Sequence, residues 1–483
     1  MANQIADNIS PEKRIQLNEE RTGNGYQYLK HSAVDVVEEG KIPKVGRYII
    51  ILLAYLLLIG PPLYFLLKKL DKRNLIWVIV PVFSVLFASF IYGIGGETRQ
   101  DKPYINFFTI NTQRNGICNQ ETLLGVTAPY NDDYELTFSR DTNIVPEVEM
   151  NTYYYQGASQ SSKDNSYNIG IRYGADAITV QVKDYPAFET AYFNVTGEGT
   201  TAGAVENSLS FFDLSLKGSI TNRLGYDLKQ AVVYAYGKLY PIGDLEQGQS
   251  ISLDEKESFF TMNRSGIYQD GLLEKISGGS PYGKASEQTA EIVRYYYAYE
   301  YILSKLASKA QQSCYLIGFP EEKKNEFLEN TGLNSYGVTI LMAEIEPDLT
   351  KEEERLIPRL DIYMQNIDER YDGTEGYVYS DNYSVELQFG SEEKIDRLLY
   401  SAQMNGGLKG LTYPDSFYGE IFAWNYSTEE YDVIFDGKQE GFIEAAPYLG
   451  EENRMRLSIR PDAMTLQRYG QVAMPVLSAI EEE

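Results

Sequence analysis

Two uncharged apolar runs of 20 residues, Tyr48–Leu67 and Leu75–Ile94, stand near the start of this 483-residue chain, separated by the seven residues KKLDKRN. A bilayer core needs about 20 apolar residues of helix. Runs of that length are rare inside a soluble domain, so the pair is predicted to form a transmembrane helical hairpin over 45–96, after an N-terminal tail over 1–44. The competing reading is a buried helical hairpin in a soluble core.

The loop sets the expected orientation. Lys68, Lys69, Lys72 and Arg73 crowd its ends, offset only by Asp71. Short cationic loops stay cytoplasmic. Both the tail and everything beyond Gly95 are therefore expected outside, although Lys41, Lys44 and Arg47 compete from the other end. Trp77 suits an interfacial aromatic belt.

Gly60, Pro61 and Pro62 interrupt the first run and Pro81 enters the second. Each proline removes a backbone donor and crowds the preceding turn, so a kink or hinge is expected at these four residues. Neither run contains Asp, Glu, Lys, Arg or His, which argues against an ion path made by this chain alone. No signal sequence is visible before the hairpin. In the tail, Tyr26–Glu39 has the makings of a short helix, with Leu29, Val34 and Val37 on one side.

Charge divides the chain unequally. Of its 43 basic and 69 acidic residues, 12 and 9 precede Gln100, leaving 31 and 60 after it, a formal −29. Such a surface repels nucleic acid and anionic headgroups, so neither is an expected partner. His31 is the only histidine and falls in the tail, which removes histidine-based triads and zinc sites from the expected exterior. Cys118 and Cys314 are the only cysteines; a disulfide and two buried thiols are equally open. One acidic turn, with Asp368, Asp372 and Glu375 as ligands, is a candidate Ca²⁺ site, although its spacing is not that of an EF-hand. No other cofactor or catalytic residue is expected.

Beyond Gly95 the pattern is short alternating segments cut by Gly, Asn and Asp. The expected fold class is mainly β: two extracytoplasmic antiparallel β-sandwich domains, Ig-like or jelly-roll-like, over 104–348 and 355–483. Lys351–Leu356 is read as their linker. One covering helix is predicted over about 286–311, with Ile292, Tyr296, Tyr299, Leu303 and Leu306 at helical spacing. The Gly278–Pro281 stretch before it lacks a phosphate-loop pattern. Asn222 and Asp227 read as turn residues, and Trp424 as the core anchor of the second sandwich. The tyrosine runs 153–155 and 295–297 suggest either a glycan groove or packed faces.

The hairpin residues Gly60, Pro61, Tyr64, Leu67, Lys68, Asp71, Lys72, Arg73, Trp77 and Pro81 resemble those of a group of uncharacterised membrane proteins from Gram-positive bacteria. The stretch ITNRLGYDL…YAYGKLYPIGDLEQGQS is similar as well. The resemblance implies a bacterial plasma-membrane location and β-rich exterior modules, and no activity. The expected function is a membrane-anchored, non-enzymatic binding protein of the cell envelope, with an envelope glycan or a membrane protein as partner. The alternatives are an accessory subunit of a transporter and a carboxylate-dependent envelope hydrolase.

Overall fold

The computed structural model describes residues 26–37, 45–95, 103–147 (132 excepted), 168–260 (185, 201–202 and 213–214 excepted), 267–283 (269–270 excepted), 289–307, 314–321, 333–358, 363–365, 371–372, 377–378, 383–389, 394–401, 417–436, 440–464, 472–473 and 476–482. The protein is mainly β, with several sheets and two long apolar helices. Helix α1 spans Gln27–Val34. The hairpin is built from α2 (Val45–Ile59), α3 (Pro61–Lys69) and α4 (Ile76–Gly95).

After the hairpin come β1 (Tyr104–Arg114), β2 (Ile117–Thr127), β3 (Tyr134–Ser139), β4 (Thr142–Glu147), β5 (Asn168–Tyr173), β6 (Ala177–Lys183) and β7 (Thr190–Thr200). Then follow β8 (Ala204–Asn207), β9 (Ser219–Arg223), β10 (Leu228–Ala235), β11 (Lys238–Leu245), β12 (Ser250–Ser252) and β13 (Phe259–Phe260). Helices α5 (Leu272–Ser277) and α6 (Ala290–Ala307) precede β14 (Cys314–Pro320) and β15 (Asn334–Ile345). Nine of these strands form one sheet in the order β13-β11-β10-β14-β15-β1-β2-β7-β4.

That sheet is not purely antiparallel. Its two sequential halves, 104–200 and 228–345, meet where β1 runs parallel to β15 over ten paired positions. At this seam Gly337 lies opposite Phe107, and a Cβ there would come within 2.3 Å of the Phe107 carbonyl oxygen. Only glycine lets the two backbones approach so closely. Tight turns set the antiparallel registers. Asn115-Gly116 between β1 and β2, and Tyr236-Gly237 between β10 and β11, each hold two successive residues at positive φ. This is the twist that a two-residue hairpin requires. The second turn therefore lies at Tyr236-Gly237. Gly243 sits inside β11 beside a register shift.

Helices cover one face of the sheet. Tyr299, Leu303 and Leu306 of α6 pack with Phe108, Val232 and Ile340. Helix α6 starts later than the sequence suggests, because Thr289 caps it: its hydroxyl accepts the Ile292 N–H at 3.2 Å. It is buried almost all round, with Arg294, Glu300 and Ser304 among the buried residues, since α1 and α5 pack beside it. Tyr295 and Tyr296 are buried as well, and Tyr295 stacks on Phe319 at 3.8 Å between centroids. This tyrosine run is core, not groove; the run 153–155 lies outside the described residues.

The opposite face holds two further clusters. One joins the small sheet β3-β6-β5 to β1, β2 and β7 through Phe107, Leu124, Leu136, Phe138 and Val180. The other joins β10, β14 and β15 to the segment around Leu209–Leu216. In that segment Ser210 bridges to Lys217 and Asp348. This second cluster also takes in Leu356 and Ile480.

Those two residues overturn the linker reading. Thr350–Lys351 and Glu354–Ile357 form a hairpin that pairs with the last strand, Val476–Glu482, and Leu356 is buried. Downstream, two five-stranded sheets of antiparallel pairs share one core, with Leu398, Leu477 and Ala479 from one and Ile421, Ala423, Met455, Leu457 and Ile459 from the other. Trp424 is not in that core. Ile421 and Ala423 point inward, so Trp424 faces outward, half-buried against Tyr431 at 5.0 Å.

Candidate membrane anchor and its latch

Pro61 cannot donate to the helix that precedes it, and Gly60 answers by leaving helical geometry at φ −73°, ψ −129°. So α2 ends at Ile59 and α3 restarts with Pro61 at its first position, where a missing N–H costs nothing. A Cβ on Gly60 would sit 2.8 Å from the Leu56 carbonyl oxygen. Pro81 instead stays inside α4, which continues through it. The two arms meet through Tyr55, whose hydroxyl lies 2.6 Å from Ser84 Oγ and whose ring is 4.9 Å from that of Phe87. Ser84 Oγ also donates to the Val80 carbonyl at 2.9 Å.

The tip closes by backbone geometry. Lys72 N–H bonds to the Leu67 carbonyl at 3.0 Å and Asp71 N–H to that of Lys68 at 3.2 Å, with Asp71 at φ 56°. This is a Schellman stop with aspartate in the left-handed position. Lys68 and Lys69 occupy the last turn, where cations complement the helix dipole. All four tip cations are exposed.

The hairpin is long enough and apolar enough to cross a bilayer: two stretches of 22 residues, Tyr48–Lys69 and Arg73–Ile94, remain outside the protein core. At about 1.5 Å per residue each reaches about 33 Å. Ile50, Leu57, Phe65, Trp77 and Val85 are more than half exposed. An apolar surface of this extent on a folded protein marks an interaction with lipid or protein. The alternative of a hairpin buried in a soluble core is excluded within the described residues.

The N-terminal segment is the larger surprise. Residues 26–37 do not trail as a tail; α1 is inserted in the main core. Tyr26, Leu29, Ala33 and Val34 join the cluster of α6 and the sheet. Val34 rests on Gly125 of β2, where an added Cβ would meet Val34 Cγ1 at 2.9 Å. Val37, expected on the apolar side, lies past the helix and is 57% exposed.

Around this contact lies a ring of polar groups. Lys30, 2% exposed, pairs with the Glu121 carboxylate of β2 and lies 5.0 Å from the centre of the Tyr301 ring. His31 is 3% exposed, with Nε2 at 3.2 Å from a Glu147 oxygen and its ring edge-on to Tyr192. The sole histidine thus belongs to the folded domain. Tyr192 donates to Asp35 Oδ1 at 2.6 Å, and Arg294 of α6 donates to the Val36 carbonyl at 3.0 Å. Burial alone would raise the Glu121 carboxyl, but the charge and hydrogen bond of Lys30, helped by Lys305, hold it below the ordinary range. Asp35 moves upward: its packed surroundings outweigh the Tyr192 hydrogen bond and the nearby His31.

These contacts fix a topological fact. Gly125, under Val34, is paired with Asn106 near the start of β1. The chain therefore leaves the domain before the hairpin and re-enters it after the hairpin at the same end of the central β1–β2 pair. Residues 35–44 and 96–103 connect the two and span at most about 35 Å and 28 Å.

The other sequence-predicted site residues fall partly outside the described residues. Asp368 and Glu375 lie outside the described residues. Asp372 is placed only as backbone in the two-residue ladder Tyr371–Asp372 with Tyr377–Val378. Among the described residues no group of three acidic, cysteine or histidine side chains could hold a metal ion. Cys118 and Cys314 are not bonded to each other: β1 and β15 separate their strands, which puts them about 14 Å apart, beyond disulfide reach. Burial pushes the Cys314 thiol well above its ordinary value. Asn222, within β9, and Asp227, just before β10, secure turns with their side chains. Asn222 donates to the Tyr226 and Leu245 carbonyls and accepts the Leu224 N–H, while Asp227 accepts the Gln247 N–H at 2.6 Å.

Residues 204–348 match the model of a family described as a domain of unknown function, DUF8725. The match covers under a third of the chain. It spans β8 to β15 with α5 and α6, one of the two halves that meet at the parallel seam. No curated protein matches the chain.

Proposed function

We propose that this chain is a membrane-anchored, non-enzymatic binding protein of a bacterial cell envelope, with its β-rich body outside the plasma membrane. The observation that carries the reading is the shared core of α1 and the β1–β2 pair around an exposed apolar hairpin. A two-span anchor returns the chain to the side it left, and such a fold requires that return. The four tip cations favour the cytoplasm for the loop and so the exterior for the body. The sole histidine is engaged in packing α1, which leaves no histidine for catalysis. In this reading the two C-terminal five-stranded sheets are a β-sandwich, and the 104–348 region is a layered β domain carrying its helices on one face.

Extraction tests the anchor. The chain is expected to stay with membranes in alkaline carbonate and leave only in detergent; release by carbonate would overturn the reading. A role as accessory subunit of a transporter draws support from the broken first arm, whose Tyr64, Phe65 and Leu66 are exposed just beyond the Gly60 break. Copurification of a permease in equal yield from mild detergent would favour it.

A further inference from the structure

The last long strand of the C-terminal core reads RMRLSIRP over Arg454–Pro461. Met455, Leu457 and Ile459 point into the core. Strand periodicity therefore sends Arg454, Arg456, Ser458 and Arg460 to the opposite face. On that face the neighbouring strand, Gly419–Asn425, contributes Phe422 and Trp424, since Ile421 and Ala423 face inward. The edge strand, Glu430–Phe435, adds Tyr431 and Val433, 41% and 52% exposed.

The register arranges these groups in rows. Phe422 lies between Ser458 and Val433. Trp424 pairs with Tyr431 on one side, and continuing the ladder by one step sets it beside Arg456 on the other. Arg460 lies over the Phe422 ring at 4.1 Å. Two carboxylates share the face. Glu386 lies 3.4 Å from Arg454 and 3.8 Å from Arg456, and Glu420 is opposite Arg460 in the ladder. Among the described residues no carboxylate comes within ion-pair distance of Arg460. The face thus presents Arg456 and Arg460, both exposed, on a chain whose net charge is −26.

We propose that this face binds an acidic polysaccharide, one whose sugar units carry carboxylates. The proposal rests on the envelope reading above and names its ligand class and surface. Sugar rings present polarised C–H groups that stack on electron-rich aromatic faces, which Trp424 and Tyr431 supply. Arginine grips a carboxylate through two parallel N–H donors. A row that sets Trp424 and Arg456 on adjacent strands, about 5 Å apart at the backbone, offers both kinds of group on one face. Trp, Tyr and Arg are also the residues in which binding energy concentrates at recognition surfaces. A neutral glycan leaves the arginines unused. A lipid surface does not require the aromatic row.

The test uses the full chain purified in detergent, with polygalacturonate and its methyl-esterified form as probes. The two polymers share a backbone, and esterification masks the carboxylates. Retention is expected on the first and at least about tenfold weaker on the second, falling with salt. Arg456→Ala, Arg460→Ala and Trp424→Ala should each weaken binding about tenfold, with Tyr431→Ala as the exposed aromatic variant should Trp424→Ala fold poorly. Equal retention on both polymers, retention on neither, preference for anionic vesicles, or indifference to the arginine variants would overturn the proposal. Carbonate extraction separates the two readings. Binding by a chain that washes off membranes sinks the anchor alone, and a firmly anchored chain that ignores the polymer sinks this face alone.

Discussion

The hairpin and helix α1 invert the ordinary relation between apolar sequence and burial. The hairpin is the greasiest part of the chain and the most exposed, with Trp77 at 83%. Helix α1 reads QYLKHSAV, eight residues with a lysine and a histidine, and five of them, these two included, are buried. An isolated helix of that length is unstable in water, so α1 is held by tertiary contacts alone. Apolar content thus reports which solvent a segment suits, not whether protein covers it. The hairpin has too much apolar surface for any neighbour in this chain to cover. Helix α1 has little, and spends it against one groove.

The comparison breaks most visibly if the hairpin is made polar. Leu53→Arg with Val85→Arg should cost about 5–7 kcal/mol of insertion free energy, at about 3 per buried arginine, and move the chain out of the carbonate-resistant membrane fraction. The same change would leave the hairpin indifferent if water were its solvent. Next in size is Leu29→Ala. It removes a fully buried side chain from α1 and should lower stability in detergent by about 3 kcal/mol, read as a drop in melting temperature. Leu53→Ala, equally apolar by sequence, should leave it unchanged.

Glu121→Gln comes third, at about 2 kcal/mol. It strands Lys30, whereas the 40% exposure of Glu121 keeps the loss below that of a fully buried pair. The same pair gives a pH dependence with a definite sign. A carboxyl whose folded pKa is lowered stabilises fully above its ordinary 4.5 and loses that contribution as pH falls through the lowered value. Melting temperature should therefore drop in acid below about pH 4.5, and Glu121→Gln should flatten the drop. Asp35, raised in the folded state, works the opposite way, as its ionised form is the costly one, and softens the fall without reversing it. The smallest effect is Ser84→Ala. It removes the Tyr55 contact between the arms, for about 0.6 kcal/mol within lipid, and sharpens the contrast by showing how little polar glue the hairpin uses.

Much of this was legible in the residues. Length and apolarity gave the hairpin, Gly60-Pro61-Pro62 marked the break between α2 and α3, and helical spacing found α6. The turn Asn115-Gly116 was equally legible, as a direct hairpin signal, yet the polar start of β2 hid the strand that follows it. The turn at Tyr236-Gly237 carried a weaker signal, because tyrosine seldom leads such a turn. Trp424 was misplaced because size suggested a core anchor, whereas alternation with Ile421 and Ala423 puts it outside. The insertion of α1 was out of reach: it depends on Gly125 and Glu121, about ninety residues away, and no local pattern encodes a groove. The parallel β1–β15 seam joins residues some 230 positions apart and is invisible for the same reason. The proposed acidic Ca²⁺ turn remains a sequence expectation.

Cysteine accessibility addresses the common side of the hairpin ends most directly. Val37→Cys lies before the hairpin, Gly170→Cys after it and Leu70→Cys at its tip, each in a Cys118→Ser background with the buried Cys314 retained. On intact cells an impermeant thiol reagent should modify the first two alike and spare the third until the membrane is opened. Opposite labelling of positions 37 and 170, or labelling of position 70 together with them, would contradict the account.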